Sequence, residues 1–347
     1  MNQACCNQPD PAAMRPQSLA GAKIVSIPQV STTLSCADIL GDWKVRWGIG
    51  RISYRIDPGL YRVGTPNSGS PVLVSANYKL TFNALRKNLS GLDCWLLVLD
   101  TQGVNVWCSA GKGLFGTAEL VRRIKSTGLS GVVTHRRLIV PQLGATGVSA
   151  REVARQAGFS VVFGPVRASD IKDFIAAGYK ATPEMRTMRF GLKDRLVLTS
   201  VELTGTVKFS LIVFGVLFLL NLFVARPFGT RDLVSYLGAL LVGTVLTPAL
   251  LPWIPGKAFA WKGWLLGLCW TVLALWIFGR LSLTLWLPAV GYLLLLPALS
   301  AYLAMNFTGC STYTSLSGVL KEMRIALPLI IGSGVIGALF TLFYHLI

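Results

Sequence analysis

The spacing of apolar and polar positions changes once along the chain. Up to about residue 200, apolar residues come in runs of four to seven, separated by charged and turn-forming stretches. Beyond it they continue for about twenty residues at a time, over 207–225, 233–254, 263–279, 283–306 and 325–347. Each of these five is near the ~20 residues that a helix needs to cross a bilayer. The first half reads as alternating strands and helices. Pro71-Val-Leu-Val-Ser-Ala-Asn-Tyr-Lys-Leu-Thr81 is a strand and a loop, and 81–89 a helix with Phe82, Leu85 and Leu89 on one face. Cys94-Trp-Leu-Leu-Val-Leu-Asp100 is a buried strand, and 118–126 a helix whose polar side carries Glu119, Arg122, Arg123 and Lys125. Gly131-Val-Val-Thr134 reads as the next strand. Leu138-Ile-Val-Pro-Gln-Leu-Gly144 leads into a loop of small residues, 145–149, and Ser149 caps a helix over 150–157. Phe159-Ser-Val-Val-Phe163 is a strand ending in Gly164-Pro-Val-Arg-Ala168, after which Ser169 or Asp170 caps a helix over 171–177.

Strand–helix alternation of this kind predicts an α/β, Rossmann-like domain, with helices on both faces of a parallel sheet. The loops at 102–105, 142–147 and 164–168 all follow strands and would converge at one end of that sheet, with area enough for a flat ligand. Residues 35–64 hold short alternating runs broken by Gly and Pro, which predict a hairpin or edge strands, with 58–64 as turn and loop. The stretch before them is polar and carries Pro9, Pro11, Pro16 and Pro28, the composition of a loose arm. The expected organisation is a polar arm (1–34), an α/β domain (35–180), a basic linker (181–206) and an all-α bundle of five transmembrane helices (207–347).

Composition supports that division. Of 347 residues 52% are hydrophobic, too many for one soluble domain, and charged residues thin out after Lys208. Lys and Arg exceed Asp and Glu by 33 to 15, for a formal charge of +18. The basic residues are scattered and no zinc-finger, RRM or helix-turn-helix pattern is present, so nucleic acid is not an expected partner. The largest basic cluster precedes the first span, which predicts a cytoplasmic α/β domain near anionic membrane lipid, a multi-pass inner-membrane protein, and Ile347 outside. Trp253, Trp261, Trp264, Trp286, Tyr302 and Tyr313 fall near span ends as interfacial residues do, and Pro248, Pro288 and Pro297 predict kinks. No ionisable residue falls deep within these five stretches, which favours an anchor over a transport pathway. No signal peptide opens the sequence. Cys5, Cys6, Cys36, Cys94, Cys108, Cys269 and Cys310 show neither a disulfide framework nor an iron–sulfur spacing, so electrons for any redox step should come from another protein. The vicinal Cys5-Cys6 pair is either idle or a soft-metal handle.

The candidate chemistry lies in Asn105-Val-Trp-Cys-Ser-Ala-Gly-Lys-Gly-Leu-Phe-Gly-Thr117. Gly111, Gly113 and Gly116 have the G-x-G-x-x-G spacing. A dinucleotide site, however, wants those glycines directly after the strand and an acid about 20 residues on, where Gly131 stands. That reading is rejected. Asn105 is a good N-cap, so Cys108 would lie in a first helical turn, where the helix field favours thiolate, and Lys112 adds positive charge on the same side. A thiolate is a soft ligand suited to a transition metal. His135 has neither the Asp two residues before it nor the Gly three after it of the D-x-H-x-x-G cobalamin motif, which leaves Cys108 the stronger candidate.

This segment closely resembles the signature of the corrinoid proteins of microbial mercury methylation (the HgcA type), related to the corrinoid iron–sulfur protein subunits of the acetyl-CoA pathway. The resemblance extends to Gly59-Leu-Tyr-Arg-Val-Gly64 and Asn77-Tyr-Lys-Leu-Thr81; Ser109 and Leu114 stand where alanine and threonine are common. It implies a corrinoid (cobalamin-type) cofactor with the Cys108 thiolate as the lower axial ligand of its cobalt. Thr81, Asn105, Val106, Trp107, Gly111, Lys112, Gly113, Gly116, Thr117, Leu143, Gly144, Gly164 and Val166 would lie about the ring. It implies a corrinoid-dependent methyltransferase that passes a methyl group to Hg(II). Its partners would be a methyl-tetrahydrofolate-linked donor and a small ferredoxin with two [4Fe–4S] clusters. The alternatives are a corrinoid methyl carrier of one-carbon metabolism and a non-enzymatic membrane scaffold.

Overall fold

A computed structural model describes residues 27–282, 285–310 and 316–347. Cys5, Cys6 and Tyr313 lie outside the described residues. The chain divides into two compact units, Met1–Val45 with Ile49–Met188, and Arg46–Gly48 with Arg189–Ile347.

The first unit is a six-stranded sheet of order β1-β2-β4-β3-β5-β6, formed by Gln29–Val30, Gly59–Val63, Val72–Ala76, Cys94–Leu99, Arg137–Val140 and Ser160–Phe163. β3 runs parallel to β4 and to β5, and β5 to β6, so these four strands end on one edge of the domain. β4 is buried along its whole length, which is why it reads as an unbroken apolar run. Its side chains alternate between two cores. Trp95, Leu97 and Leu99 face the side covered by α3 (Val106–Gly111), α4 (Thr117–Ser126) and α6 (Ala150–Ala157); Cys94, Leu96 and Val98 face α2 (Lys79–Arg86) and α7 (Ile171–Ala176).

Four expectations are corrected. Residues 35–64 form no hairpin. They hold a helix, α1 (Cys36–Arg46), and the strand β2, which lies antiparallel to β4, so the sheet is mixed. α1 begins at a capping box that Ser35 and Asp38 make, with Ser35 N donating to Asp38 Oδ2 at 3.0 Å and Asp38 N to Ser35 Oγ at 3.2 Å. Gly41, read as a break, instead seats the Tyr54 ring: a Cβ there would lie 2.5 Å from the Tyr54 hydroxyl oxygen. Residues 131–134 are no strand. Gly128 turns the chain at φ 60°, α5 (Leu129–Val132) follows, and the strand comes later as β5. The helix read over 81–89 starts two residues earlier, at Lys79, with Tyr78 in the cap position. Finally, α7 has Asp170 before it, but no side chain caps it.

The second unit is helical, and five of its helices are long and apolar enough to cross a membrane: Leu192–Leu220, Thr230–Leu250, Phe259–Ile277, Trp286–Asn306 and Ser317–Leu346. The second of these is interrupted by a π-helical turn, Val242–Leu246, directly before Pro248. Pro297 lies inside its helix, and so does Pro328, which was not anticipated. The first and last helices outrun the apolar stretches. Glu202, Lys321, Glu322 and Arg324 therefore lie on helical turns rather than in linker or loop. Several of the charged side chains serve as staples. Arg195 donates to Ala249 O at 2.6 Å, Glu322 accepts from Ala260 N at 2.6 Å, and Arg280 pairs with the buried Asp232 at 2.7 Å. Small residues let backbones close up, as at Gly263 and Gly267 against Ser300, Ala301 and Pro297, and at Gly291 against Gly337.

Candidate functional site

The edge where β3, β4, β5 and β6 end carries the candidate chemistry. After β4 the chain turns through Gln102 and Gly103, both at positive φ (55° and 74°), and enters α3. Asn77, at the end of β3, fixes this turn. Its Oδ1 accepts from Thr101 N (3.1 Å), Thr101 Oγ1 (2.9 Å) and Gly103 N (3.0 Å), and its Nδ2 donates to Asp100 Oδ1 at 3.1 Å. Asn77 is nearly fully buried, and sequence reasoning did not single it out; its signal was a polar residue at the end of an apolar strand.

Asn105 caps α3 as expected. Its backbone is extended (φ −64°, ψ 164°), and its Oδ1 accepts from Cys108 N at 2.8 Å. The cap sets which way α3 faces. Val106, Ser109 and Ala110 turn into the core; Trp107, Cys108, Gly111 and Lys112 face outward. The Ser109 hydroxyl, where alanine is common in the resembling family, is fully buried and spent within its own helix, donating to Asn105 O and Val106 O. Ser109 O in turn accepts from Leu114 N (2.9 Å) and Phe115 N (3.1 Å), which folds the glycine segment back on the helix.

The glycines divide in two. A Cβ on Gly111 or Gly113 would meet nothing within 4 Å, so these two leave bare backbone on the open side beside Cys108. Gly116, Gly144 and Gly147 are packing glycines. A Cβ on Gly147 would lie 2.2 Å from Phe115 O and 3.2 Å from Ala110 Cα; one on Gly144 would lie 2.5 Å from the Phe115 ring. Thr117 binds the two loops together, its N donating to Gly147 O at 3.1 Å and its Oγ1 accepting from Ser149 N at 2.8 Å. Ser149 also caps α6, accepting from Glu152 N. Leu143 packs on the core beneath them.

The structure thus brings Asn105, Val106, Trp107, Cys108, Gly111, Lys112, Gly113, Gly116 and Thr117 together with Leu143 and Gly144. Gly164 and Val166 share the sheet edge but hold other things. Gly164 N donates to Val140 O at 2.8 Å beside Ile139, and Val166 N donates to Met185 O at 2.8 Å. Thr81 is in the first turn of α2, the helix on the opposite face of the sheet, where Phe82 and Leu85 are buried. His135 lies away from the edge, with Nε2 2.8 Å from Ser70 O. Cys94 is the contrast to Cys108: it is fully buried, and burial, followed by the nearby Asp93 charge, pushes its thiol up to about 12.

Residues 50–175 match the family model described as CdhD, the CO dehydrogenase/acetyl-CoA synthase delta subunit. Over 123 residues the chain is 37% identical to the acetyl-CoA decarbonylase/synthase complex subunit gamma of Methanopyrus kandleri, covering 35% of this chain and 26% of that protein. Over 122 residues it is 33% identical to the same subunit of Methanocaldococcus jannaschii (35% and 25% covered), and over 127 residues 32% identical to that of Archaeoglobus fulgidus (36% and 27%). The chain spans about a quarter of the length of these curated relatives, and the matched part is the unit that bears the Asn105-capped turn. That unit therefore contains a CdhD-family domain, homologous to the gamma subunit of acetyl-CoA decarbonylase/synthase.

Proposed function

We propose that this chain is a membrane-anchored corrinoid protein that transfers a methyl group to Hg(II), and that the Cys108 thiolate would hold the cobalt. The observation that carries the reading is the outward-facing Cys108 on a capped turn at the edge where the parallel strands end, in a domain homologous to the gamma subunit of acetyl-CoA decarbonylase/synthase. The residues present fit such a group. Cys108 offers one soft donor, Trp107 an exposed flat indole, and Gly111 and Gly113 a ledge with no side chains.

When bound, the corrinoid would supply cobalt as the methyl carrier. Cys108 would donate charge to the metal from below, and axial-ligand identity is the protein's lever on such a cofactor. The chemistry the group would supply is a methyl group for a soft electrophile such as Hg(II), and the part of this chain would be to hold the cobalt through the Cys108 sulfur. Asn105 fixes the height of the sulfur through the Cys108 amide, and the Asn77 bonds fix the turn that bears Asn105. In this reading a small ferredoxin with two [4Fe–4S] clusters returns electrons, and a methyl-tetrahydrofolate-linked enzyme supplies the methyl group. The α/β unit faces the cytoplasm.

A second reading has an observation of its own. The relatives are subunits of the acetyl-CoA decarbonylase/synthase complex, which favours a methyl carrier of one-carbon metabolism that uses the same thiol and the same edge. One experiment tests both. Full-length protein reconstituted with methylcobalamin is followed by its visible spectrum and mixed with Hg(II). The expected result is a cobalt–thiolate spectrum, formation of methylmercury, and loss of both in Cys108→Ala. Uptake of cobalamin with no methylmercury would leave the carrier reading standing, and an unchanged spectrum in Cys108→Ala would end both.

A further inference from the structure

α1 is turned the wrong way round for a helix on a soluble domain. Such a helix normally buries its apolar stripe and shows its charges to water. Here the acids face in. Asp38 is buried, paired with Arg86 at 2.7 Å and Lys79 at 3.0 Å, and Asp42 accepts from Asn83 at 2.8 Å and Tyr54 at 3.0 Å. The outward side carries Ile39, Leu40 and Trp43, which are 57%, 51% and 55% exposed, and the loop after α1 adds Ile49 at 55% and Ile52 at 74%. Lys44 and Arg51 are exposed among them, and no exposed acid lies between residues 36 and 56. Asp38 is thus ion-paired inside the domain and Asp42 hydrogen-bonded at its margin, and the surface left outside is apolar and basic.

We propose that this face, from Ile39 to Ile52, rests on an anionic phospholipid surface, with the aliphatic and indole side chains at the headgroup boundary and Lys44 and Arg51 against lipid phosphates. Large apolar side chains, a tryptophan and flanking cations are the composition of segments that lie in the plane of a membrane. The charge of this face is complementary to that surface and not to a basic one. The same chain supplies a bilayer at hand, since its other unit has five helices long and apolar enough to span one. The proposal is independent of the cobalt chemistry above. It assigns to α1 and the loop after it a lipid-binding role.

The test uses the full chain in nanodiscs of phosphatidylcholine with about a third phosphatidylglycerol, doped with a phospholipid bearing a photoactivatable carbene in its acyl chain near the headgroup. Labelling is read by peptide mass spectrometry. Residues 39–52 are expected to be labelled well above the exposed helix α6, which serves as the internal reference for a solvent-facing surface. Reversing two of the three exposed cations of this face (Lys44, Arg46 and Arg51), in Lys44→Glu/Arg51→Glu, leaves the apolar side chains and the inward-facing acids in place. It should cut the labelling roughly tenfold or more, since each basic side chain at an anionic surface is worth about a factor of five. Nanodiscs of phosphatidylcholine alone should lower it in the same way. Labelling of 39–52 no greater than that of α6 overturns the proposal. So does labelling that ignores both the charge reversal and the lipid charge. A carbene-independent crosslink from Ile52 to a second polypeptide, with the lipid label absent, would assign the face to a protein partner and overturn it equally.

Discussion

One cysteine opens β4 and another lies on the helix that follows it, and the two places treat the thiol differently. Cys94 opens the strand inside the core that α2 and α7 cover, and burial pushes its thiol up to about 12. Cys108 comes after the strand has ended. There Asn77 has locked the turn, Asn105 has started a helix of six residues, and the sulfur faces out beside two open glycines. Nothing about the residue type distinguishes the two. What distinguishes them is the side of a strand end on which each falls, the rule by which α/β sheets set ligands at one edge and keep the other for packing.

Three experiments break or sharpen that contrast. The largest effect is expected from alkylation. At about pH 8, iodoacetamide should modify Cys108 at least roughly 100-fold faster than Cys94, because reaction needs an accessible thiolate. Mass spectrometry of the folded full chain checks this, and equal rates would erase the distinction. The same shift has a sign in pH. The unfolded chain loses the Cys94 proton near 9.0 and the folded chain only near 12, so stability contributed by this group is complete below 9 and lost as pH rises between those values. Next comes Asn77→Ala. It leaves the buried Thr101 and Gly103 amides without their acceptor and should cost about 3 kcal/mol, at ~1–3 kcal/mol for each such group. Hydrogen exchange over residues 100–108 of the full chain should quicken accordingly, while the β4 amides near Cys94 change least. The smallest is Asn105→Ala, a lost N-cap worth about 1 kcal/mol. It should loosen α3 and shift the spectrum of bound cobalamin without abolishing uptake; an unaltered spectrum would detach the cap from the thiol's position.

Much of this was legible in the chain. β4, α4 and α6 with its Ser149 cap follow from apolar periodicity and cap chemistry, which act over a few residues. So does the Asn105 turn, since the bond from its side chain to the Cys108 amide spans only three positions. α1 was not legible, because its apolar residues face outward and its acids inward, and the pattern read as broken strands; the Ser35–Asp38 capping box was the available signal. The strand expected at 131–134 failed for the opposite reason. Its valines are β-formers, but Gly128 in the left-handed region and the bond from Thr134 N to Ser68 O fix that stretch as a turn leading into β5. The first and last helices of the second unit run past the apolar stretches read from the sequence, and Arg195 and Glu322 on those added turns bind a carbonyl and an amide. The part of the site that no local pattern discloses is the pairing of Phe115 with Gly144 and Gly147, and of Asn77 with Gly103, since each joins separate strands.

The Asn77 side chain has a consequence for anyone who would move this chemistry to another scaffold. A graft of the contiguous peptide 105–117 would carry the sulfur but not its mounting, because the turn ahead of it is pinned from a neighbouring strand and the glycines behind it rest on residues 144–149. The smallest transferable module is three short segments on adjacent parallel strands, one ending in an amide, one bearing the thiol, and one of small residues.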